Sequence, residues 1–244
     1  FVMMISFISL LTTWYGFGYT KKLINKRLDL MGALSNSFIA MMLIVVTADH
    51  FITFLIAWES MSILSYLLVI TDYEKPFVQR AGFIYIVMTH IGTLFIFLGF
   101  FYLQHLTGIS QISKLHEFAN NINLVGKNVL FILFLIGFGT KAGVFPLHVW
   151  LPRAHPVAPS HISALMSGVM IKTALYGVLR FIIQLFSTGE LWWAIAIIMV
   201  GVLSAIMGAL FGIIEKDMKR YLAYSSSENM GLMWMILGVA LLFF

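Results

Sequence analysis

Long apolar runs alternate with short polar connections along the whole chain. An α-helix needs about 20 apolar residues to cross the hydrocarbon core of a bilayer. Eight segments have this character, at about 1–20, 31–48, 50–70, 81–104, 128–147, 161–185, 191–213 and 221–243. Barrel strands would instead show shorter segments with alternating polarity. The pattern predicts an all-α polytopic membrane protein with about eight transmembrane helices, forming a single membrane domain over residues 1–244.

The composition agrees with this prediction and excludes several function classes. The chain is 61% hydrophobic and 10% charged, whereas soluble domains carry about 25% charged residues. It contains no cysteine, which excludes disulfides, thiolate chemistry and clusters ligated by cysteine within it. The net charge of +5 does not indicate nucleic-acid binding, because the basic residues lie mostly between apolar runs. Both ends of the chain are apolar, so we expect it to be a fragment of a longer membrane protein.

The basic residues predict an orientation. If successive segments cross the membrane, ten Lys and Arg residues fall on one side, in the segments 21–27, 75–80, 153 and 216–220. Three fall on the other side: Lys114, Lys127 and Arg180. Short loops that carry excess Lys and Arg remain on the cytoplasmic side. We therefore expect the side with ten basic residues to be cytoplasmic.

Four ionisable residues lie inside predicted spans. Glu59, Lys141 and Lys172 lie within apolar runs, and Glu228 lies within the last one. Such residues are costly in a bilayer and mark functional sites by default, although structural ion pairs and snorkelling side chains are alternatives. Between residues 118 and 189 there is no acid. The buried lysines therefore need a counter-ion from a distant helix, and Glu59 is the deepest acid. A lysine held between desolvation and a nearby carboxylate can exchange a proton when its partner moves.

The segment after Lys141 predicts a broken helix. Pro146 cannot continue the backbone hydrogen bonding, and Gly139 and Gly143 loosen the chain around the lysine. Non-helical backbone at membrane depth is tolerated where protein or water surrounds it, and discontinuous helices mark ion sites in transporters. The sequence thus predicts an ion site at this break.

Histidines provide further candidates for proton handling. His161 follows the break and His90 lies within the fourth run, and imidazole suits proton transfer near neutral pH. Packing of either ring against neighbouring helices is the alternative. A metal site among the histidines that follow Lys141 is disfavoured, because no nearby cysteine or acid completes a ligand set.

Three long segments resemble the antiporter-like membrane subunits. They read KAGVFPLHVWLPRAHPVAPSHISALMSGVMIKTALYGVLRF, AWESMSILSYLLV and DMKRYLAYSSSENMGL. This family includes the large membrane subunits of respiratory complex I, those of group 4 membrane-bound hydrogenases and the multisubunit Na⁺/H⁺ antiporters. Arg153 and the pair Glu228 and Asn229 resemble the hydrogenase-4 component B and formate hydrogenlyase branch.

The resemblance implies a fold and a set of functional residues. Family members have about fourteen transmembrane helices with two inverted five-helix repeats. Residues 31–185 would form a complete first repeat and residues 191–244 the start of the second. Glu59 would be the glutamate of the family's fifth helix, Lys141 the lysine of its broken seventh helix and Lys172 the lysine of its eighth.

The resemblance also implies a function. The chain would be a proton-translocating subunit of a multisubunit oxidoreductase in a prokaryotic inner membrane, without a cofactor or redox centre of its own. Its partners would be other membrane subunits, a peripheral hydrogenase or dehydrogenase arm and the lipid bilayer, with no nucleic acid. The alternatives are a complex I subunit, a multisubunit Na⁺/H⁺ antiporter subunit and a membrane anchor that pumps nothing.

Overall fold

A computed structural model describes residues 1–20, 28–115, 122–183 and 190–243. The helices are α1 (Val2–Thr20), α2 (Leu28–Thr47), α3 (Phe51–Val69), α4 (Pro76–Thr107), α5 (Leu124–Ala142), α6 (Leu151–Val157), α7 (Ser160–Ile183), α8 (Leu191–Ile214) and α9 (Met218–Leu241). Within these residues the β-type pairing is one isolated bridge, between His50 and Gln111. The all-α prediction is confirmed. The basic segment 21–27 lies outside the described residues.

Seven helices in the described part of the chain are long and apolar enough to cross a membrane. They correspond to the first seven predicted spans. The eighth, α9, forms a helix of 24 residues but does not reach the same apolar character. Its middle reads SSSEN, and one of these serines contacts the helix break described below. At least one polar residue of α9 therefore serves a contact inside the protein.

The helix ends follow local rules. The side chains of Asn123 and Asp217 accept hydrogen bonds from backbone N–H groups in the first turns of α5 and α9, as N-cap residues do. Pro76 occupies the first turn of α4, where its missing N–H costs nothing. Gly108 ends α4 with a φ of 71°, the left-handed conformation that favours glycine.

An aromatic cluster holds α3, α5 and α7 together. The ring of Phe138 lies 5.4 Å from Trp58, 5.7 Å from Phe134 and 5.9 Å from Phe181. All four side chains are buried. Trp58 immediately precedes Glu59, and Phe138 precedes Lys141 by three residues. The cluster thus fixes the two helices that carry the candidate charges.

Candidate functional site

The predicted helix break is present beside Lys141. Helix α5 ends at Ala142, and Gly143 follows with a φ of 70°. The N–H of Gly143 donates to the carbonyl of Gly139 at 3.0 Å. The helix therefore ends four residues before Pro146, at the left-handed Gly143, and the next helix, α6, begins at Leu151.

Side chains from distant helices satisfy the backbone of the break. The N–H of Phe145 donates to Ser204 Oγ of α8 at 2.8 Å. Ser227 Oγ of α9 donates to the carbonyl of Gly143 at 2.5 Å. Both serines are buried, and an unpaired backbone group in a membrane interior is costly. Helices α8 and α9 therefore stabilise the break.

Lys141 is buried among neutral groups. Its side chain is 2% exposed, and Nζ donates to Ser62 Oγ of α3 at 2.7 Å. Nζ also lies 5.8 Å from the centre of the Tyr85 ring on α4. Among the described residues no carboxylate forms an ion pair with it. Burial of an ammonium group with so few polar contacts is costly.

Glu59 lies one turn before Ser62 on α3. Its Oε1 is 2.9 Å from His90 Nε2 of α4, and the carboxylate has no conventional hydrogen bond to another described residue. Glu59 is close enough to interact electrostatically with Lys141. The two charges suggested by the scarcity of acids thus form no direct ion pair: Lys141 bonds to Ser62, and Glu59 lies one turn from Ser62 on α3.

A row of hydroxyl groups continues from Glu59 along α3. Residues 59, 62 and 65 share one face of the helix, because residues three apart are neighbours. Ser65 Oγ lies 2.6 Å from the hydroxyl of Tyr85, and both side chains are buried. The sequence analysis missed Ser62, Ser65 and Tyr85. The three-residue spacing of the polar positions after Glu59 was the signal that could have identified the two serines.

Lys172 lies in a different environment, on α7. The turn Met166–Met170 is π-helical, and Lys172 Nζ donates to the carbonyl of Ser167 at 2.5 Å. Single π-helical turns frequently occur at functional sites. Lys172 lines a cavity of about 500 Å³ between α7 and α9. The polar residues around it include His155, Ser160, Ser163, Ser167, Lys219, Ser225, Ser226 and Asn229.

The other two predicted site residues lie apart from the lysines. The His161 ring packs 5.6 Å from the ring of Tyr19 on α1. Glu228 is partly exposed on α9 and forms no ion pair with another described residue. The structure therefore groups Glu59, His90 and Lys141 around α3, and places Lys172, His161 and Glu228 at separate positions.

Comparison with known proteins identifies the family. The family described as "NADH:quinone oxidoreductase/Mrp antiporter, TM" matches residues 48–242. Hydrogenase-4 component B of Escherichia coli K12 is 37% identical over 242 residues, which cover 98% of this chain and 36% of that protein. An uncharacterised protein of Mycobacterium tuberculosis is 45% identical over 206 residues, which cover 84% of this chain and 32% of that protein.

The fold comparison points the same way. The structure of the membrane-bound sulfane sulfur reductase, an archaeal respiratory membrane complex, matches with a TM-score of 0.88 and 25% identity. The match covers 96% of this chain and 48% of that one. The chain spans about a third of the length of the curated relatives that it matches. The chain belongs to the NADH:quinone oxidoreductase/Mrp antiporter family and is an antiporter-like membrane subunit, as its sequence segments predict.

Proposed function

We propose that the chain is the proton-translocating part of a membrane subunit in a multisubunit oxidoreductase of the hydrogenase-4 type. The observation that carries this proposal is Lys141, which is 2% exposed and held by the hydroxyl of Ser62. A purely structural lysine would be expected to have a carboxylate partner, because a buried unpaired charge is costly. Lys141 instead has an acid nearby, Glu59, on the face of α3 that carries Ser62. This arrangement allows the charge of Lys141 to change.

The proposed proton step uses the two neighbours of Ser62. While Glu59 is ionised, its negative charge favours the protonated form of Lys141. When the carboxylate is protonated or turns away from Lys141, the Lys141 ammonium releases its proton. Water at the helix break then carries the proton towards Lys172. Electron transfer takes place in other subunits, so the chain couples to it through the position of Glu59.

The hydrogenase-4 branch is favoured by the extent of the similarity. The alignment with hydrogenase-4 component B covers 98% of the chain, and Arg153 resembles the hydrogenase branch rather than complex I. The partners would be other membrane subunits and a peripheral hydrogenase arm, in a prokaryotic inner membrane. The end of the bundle that carries Arg80, Arg153 and Arg220 would face the cytoplasm, as its excess of basic residues favours.

Replacement of Lys141 by alanine in the full complex tests the proposal. We expect proton translocation per electron pair to fall by about tenfold or more. A positioned proton-transfer group typically accelerates its step by at least about a hundredfold. Proton uptake into inverted vesicles would be measured together with electron transfer. Lys127→Ala on the same helix α5 is the control and should pump normally. Unchanged coupling in Lys141→Ala would refute the proposal.

The same assay distinguishes the alternative functions. Proton movement that requires Na⁺ and no electron donor would indicate an Na⁺/H⁺ antiporter. Translocation driven by NADH oxidation would indicate a complex I subunit. A non-pumping anchor would assemble poorly when Glu59, Lys141 and Lys172 are neutralised together, without any change in ion flux.

A further inference from the structure

Three arginines from three different helices line one cavity at an end of the bundle. Arg80 lies in the first turns of α4, Arg153 lies in α6 and Arg220 lies in the first turn of α9. They border a cavity of about 570 Å³ whose remaining lining is apolar and includes Phe77, Ile84 and Val157. This site is distinct from the groups around Lys141 and Lys172.

We propose that Arg80, Arg153 and Arg220 bind the phosphate group of an anionic phospholipid. Guanidinium groups stay charged at any physiological pH and bind phosphate oxygens through paired hydrogen bonds. Basic pockets between membrane helices bind anionic lipid headgroups on this principle. The proposal concerns lipid binding and does not depend on proton translocation.

The charge balance of the cavity favours an anionic ligand. No acid lines it. Glu215 partly offsets Arg220, with a separation of 3.7 Å between its Oε1 and Arg220 Nη1. Arg80 and Arg153 form no ion pair with another described residue, and both are exposed. Two guanidinium groups therefore remain available to an incoming phosphate.

The surface beyond the cavity favours a lipid over a soluble phosphate. Residues 77, 80 and 84 follow one face of α4, and the same spacing continues along the helix. The next positions on this face are Val87, Ile91, Leu94 and Leu98, all of them exposed. An acyl chain could lie along this apolar stripe while its headgroup contacts the arginines.

The depth of Arg80 also suits a headgroup. Helix α4 has 32 residues and is therefore about 48 Å long, whereas the hydrocarbon core is about 30 Å thick. Its first turns consequently extend into the headgroup region. Arg80, the fifth residue of the helix, then lies at the level of the lipid phosphates.

Lipid binding to the assembled complex tests the proposal. The complex would be placed in nanodiscs of phosphatidylcholine, and bound phosphatidylglycerol would be titrated by native mass spectrometry. The double variant Arg80→Gln with Arg153→Gln should weaken phosphatidylglycerol binding by about tenfold, because each basic residue near an anionic lipid surface contributes appreciably. The control removes two charges from the same end outside this cavity, as Lys75→Gln with Lys216→Gln, and should change binding less than about twofold.

Further variants and measurements distinguish a bound lipid from other occupants of the cavity. The conservative double variant Arg80→Lys with Arg153→Lys keeps the charge but not the paired hydrogen bonds, so an intermediate loss supports the site. Equal loss in the glutamine and control variants would show general attraction and would overturn it. Displacement of phosphatidylglycerol by excess inorganic phosphate alone would also overturn the lipid assignment. A structure of the complex in which a partner subunit's carboxylates fill the cavity would overturn the lipid assignment as well.

Discussion

At the scale of single residues, the partners of Lys141 decide what this lysine can do. Ser62 Oγ is 2.7 Å from Nζ, and a hydroxyl can accept from the ammonium or donate to the neutral amine. Here the Ser62 hydroxyl accepts from Nζ while it donates to the carbonyl of Trp58 at 3.0 Å, and it can rotate to donate to the neutral amine instead. A carboxylate in the same place would hold the lysine protonated, so the serine positions Lys141 for proton exchange.

Replacement of Ser62 by alanine should slow proton translocation. A hydrogen bond to a charged group contributes about 1.5–3 kcal/mol, which corresponds to a loss of about tenfold to a hundredfold. The measurement is the rate of proton uptake by the assembled complex at several pH values, because a positioning residue should also change the pH profile. Ser62→Thr keeps the hydroxyl and should retain most of the rate. Equal losses in the two variants would contradict this role.

At the scale of elements, the break after α5 depends on helices that follow it in the chain. Ser204 and Ser227 hydrogen-bond to its backbone from α8 and α9. Gly143 ends the helix in the left-handed region, and a Cβ there would lie 2.9 Å from Leu151 Cδ1. Tertiary contacts at Gly143 and Phe145 thus hold the break in place.

Helices α8 and α9 approach closely through glycines. A Cβ at Gly231 would lie 2.6 Å from the carbonyl oxygen of Gly201, so no larger residue fits without moving a backbone. Small residues allow this kind of close packing between membrane helices. The close approach fixes α9 against α8, and with it the position of Ser227 at the break.

Ser227→Ala should destabilise the fold around the break. The change leaves the buried carbonyl of Gly143 without its donor, at a cost of about 1–3 kcal/mol. The neighbouring Ser226→Ala is the control, because its hydroxyl bonds to the carbonyl of Leu222 in its own helix. Thermal unfolding of the purified complex would show a lower midpoint for Ser227→Ala. Equal midpoints for the two variants would mean that the bond from Ser227 contributes nothing to stability.

At the scale of the whole molecule, Asp49 joins the connection after α2 to the segment after α4. This contact lies at the end of the bundle opposite the arginines. Asp49 follows α2 and accepts hydrogen bonds from the hydroxyl and the N–H of Ser113, both at 2.9 Å. These bonds, with a smaller contribution from Arg180, hold the pKa of the Asp49 carboxyl below its usual range. The contact links parts of the chain 64 residues apart.

The Asp49 contact should make stability depend on pH. Because the folded pKa is depressed, its contribution is present above the unfolded value of about 3.9 and is lost as pH falls through the folded value. Wild type should therefore lose its stability advantage over Asp49→Asn below about pH 4. Unfolding midpoints of both proteins from neutral to acidic pH would measure this. A constant difference across the range would exclude the contact as the cause.

The orientation of the bundle can be tested with introduced cysteines, since the chain contains none. Replacement of Lys75 or Lys216 should give a thiol that a membrane-impermeant maleimide labels from the cytoplasmic side. Replacement of Lys114 should give labelling from the opposite side. Right-side-out and inverted vesicles would be compared. Labelling of the cysteines at positions 75 and 114 from the same side would refute the predicted topology.

The membrane class, the helices and the family can all be predicted from the amino-acid sequence. Lipid cannot satisfy backbone hydrogen bonds, so each apolar run must form a helix, and buried charges stand out because they are costly. The sequence alone is therefore enough to recognise the antiporter-like family, the helix break and the buried residues Glu59 and Lys141. The repeat boundaries at 31–185 and 191–244 remain predictions.

Which side chains meet depends on how the helices pack. The partner of Lys141 is 79 residues away in sequence, and those that hold the break are 59 and 84 residues away. Serine is common in membrane helices, so its presence does not show which hydroxyl faces a charge. Helix packing brought Ser62 to Lys141 and His90 to Glu59, and it placed His161 against α1. Side-chain partners depend on the rotation and crossing of helices, and local sequence does not encode those quantities.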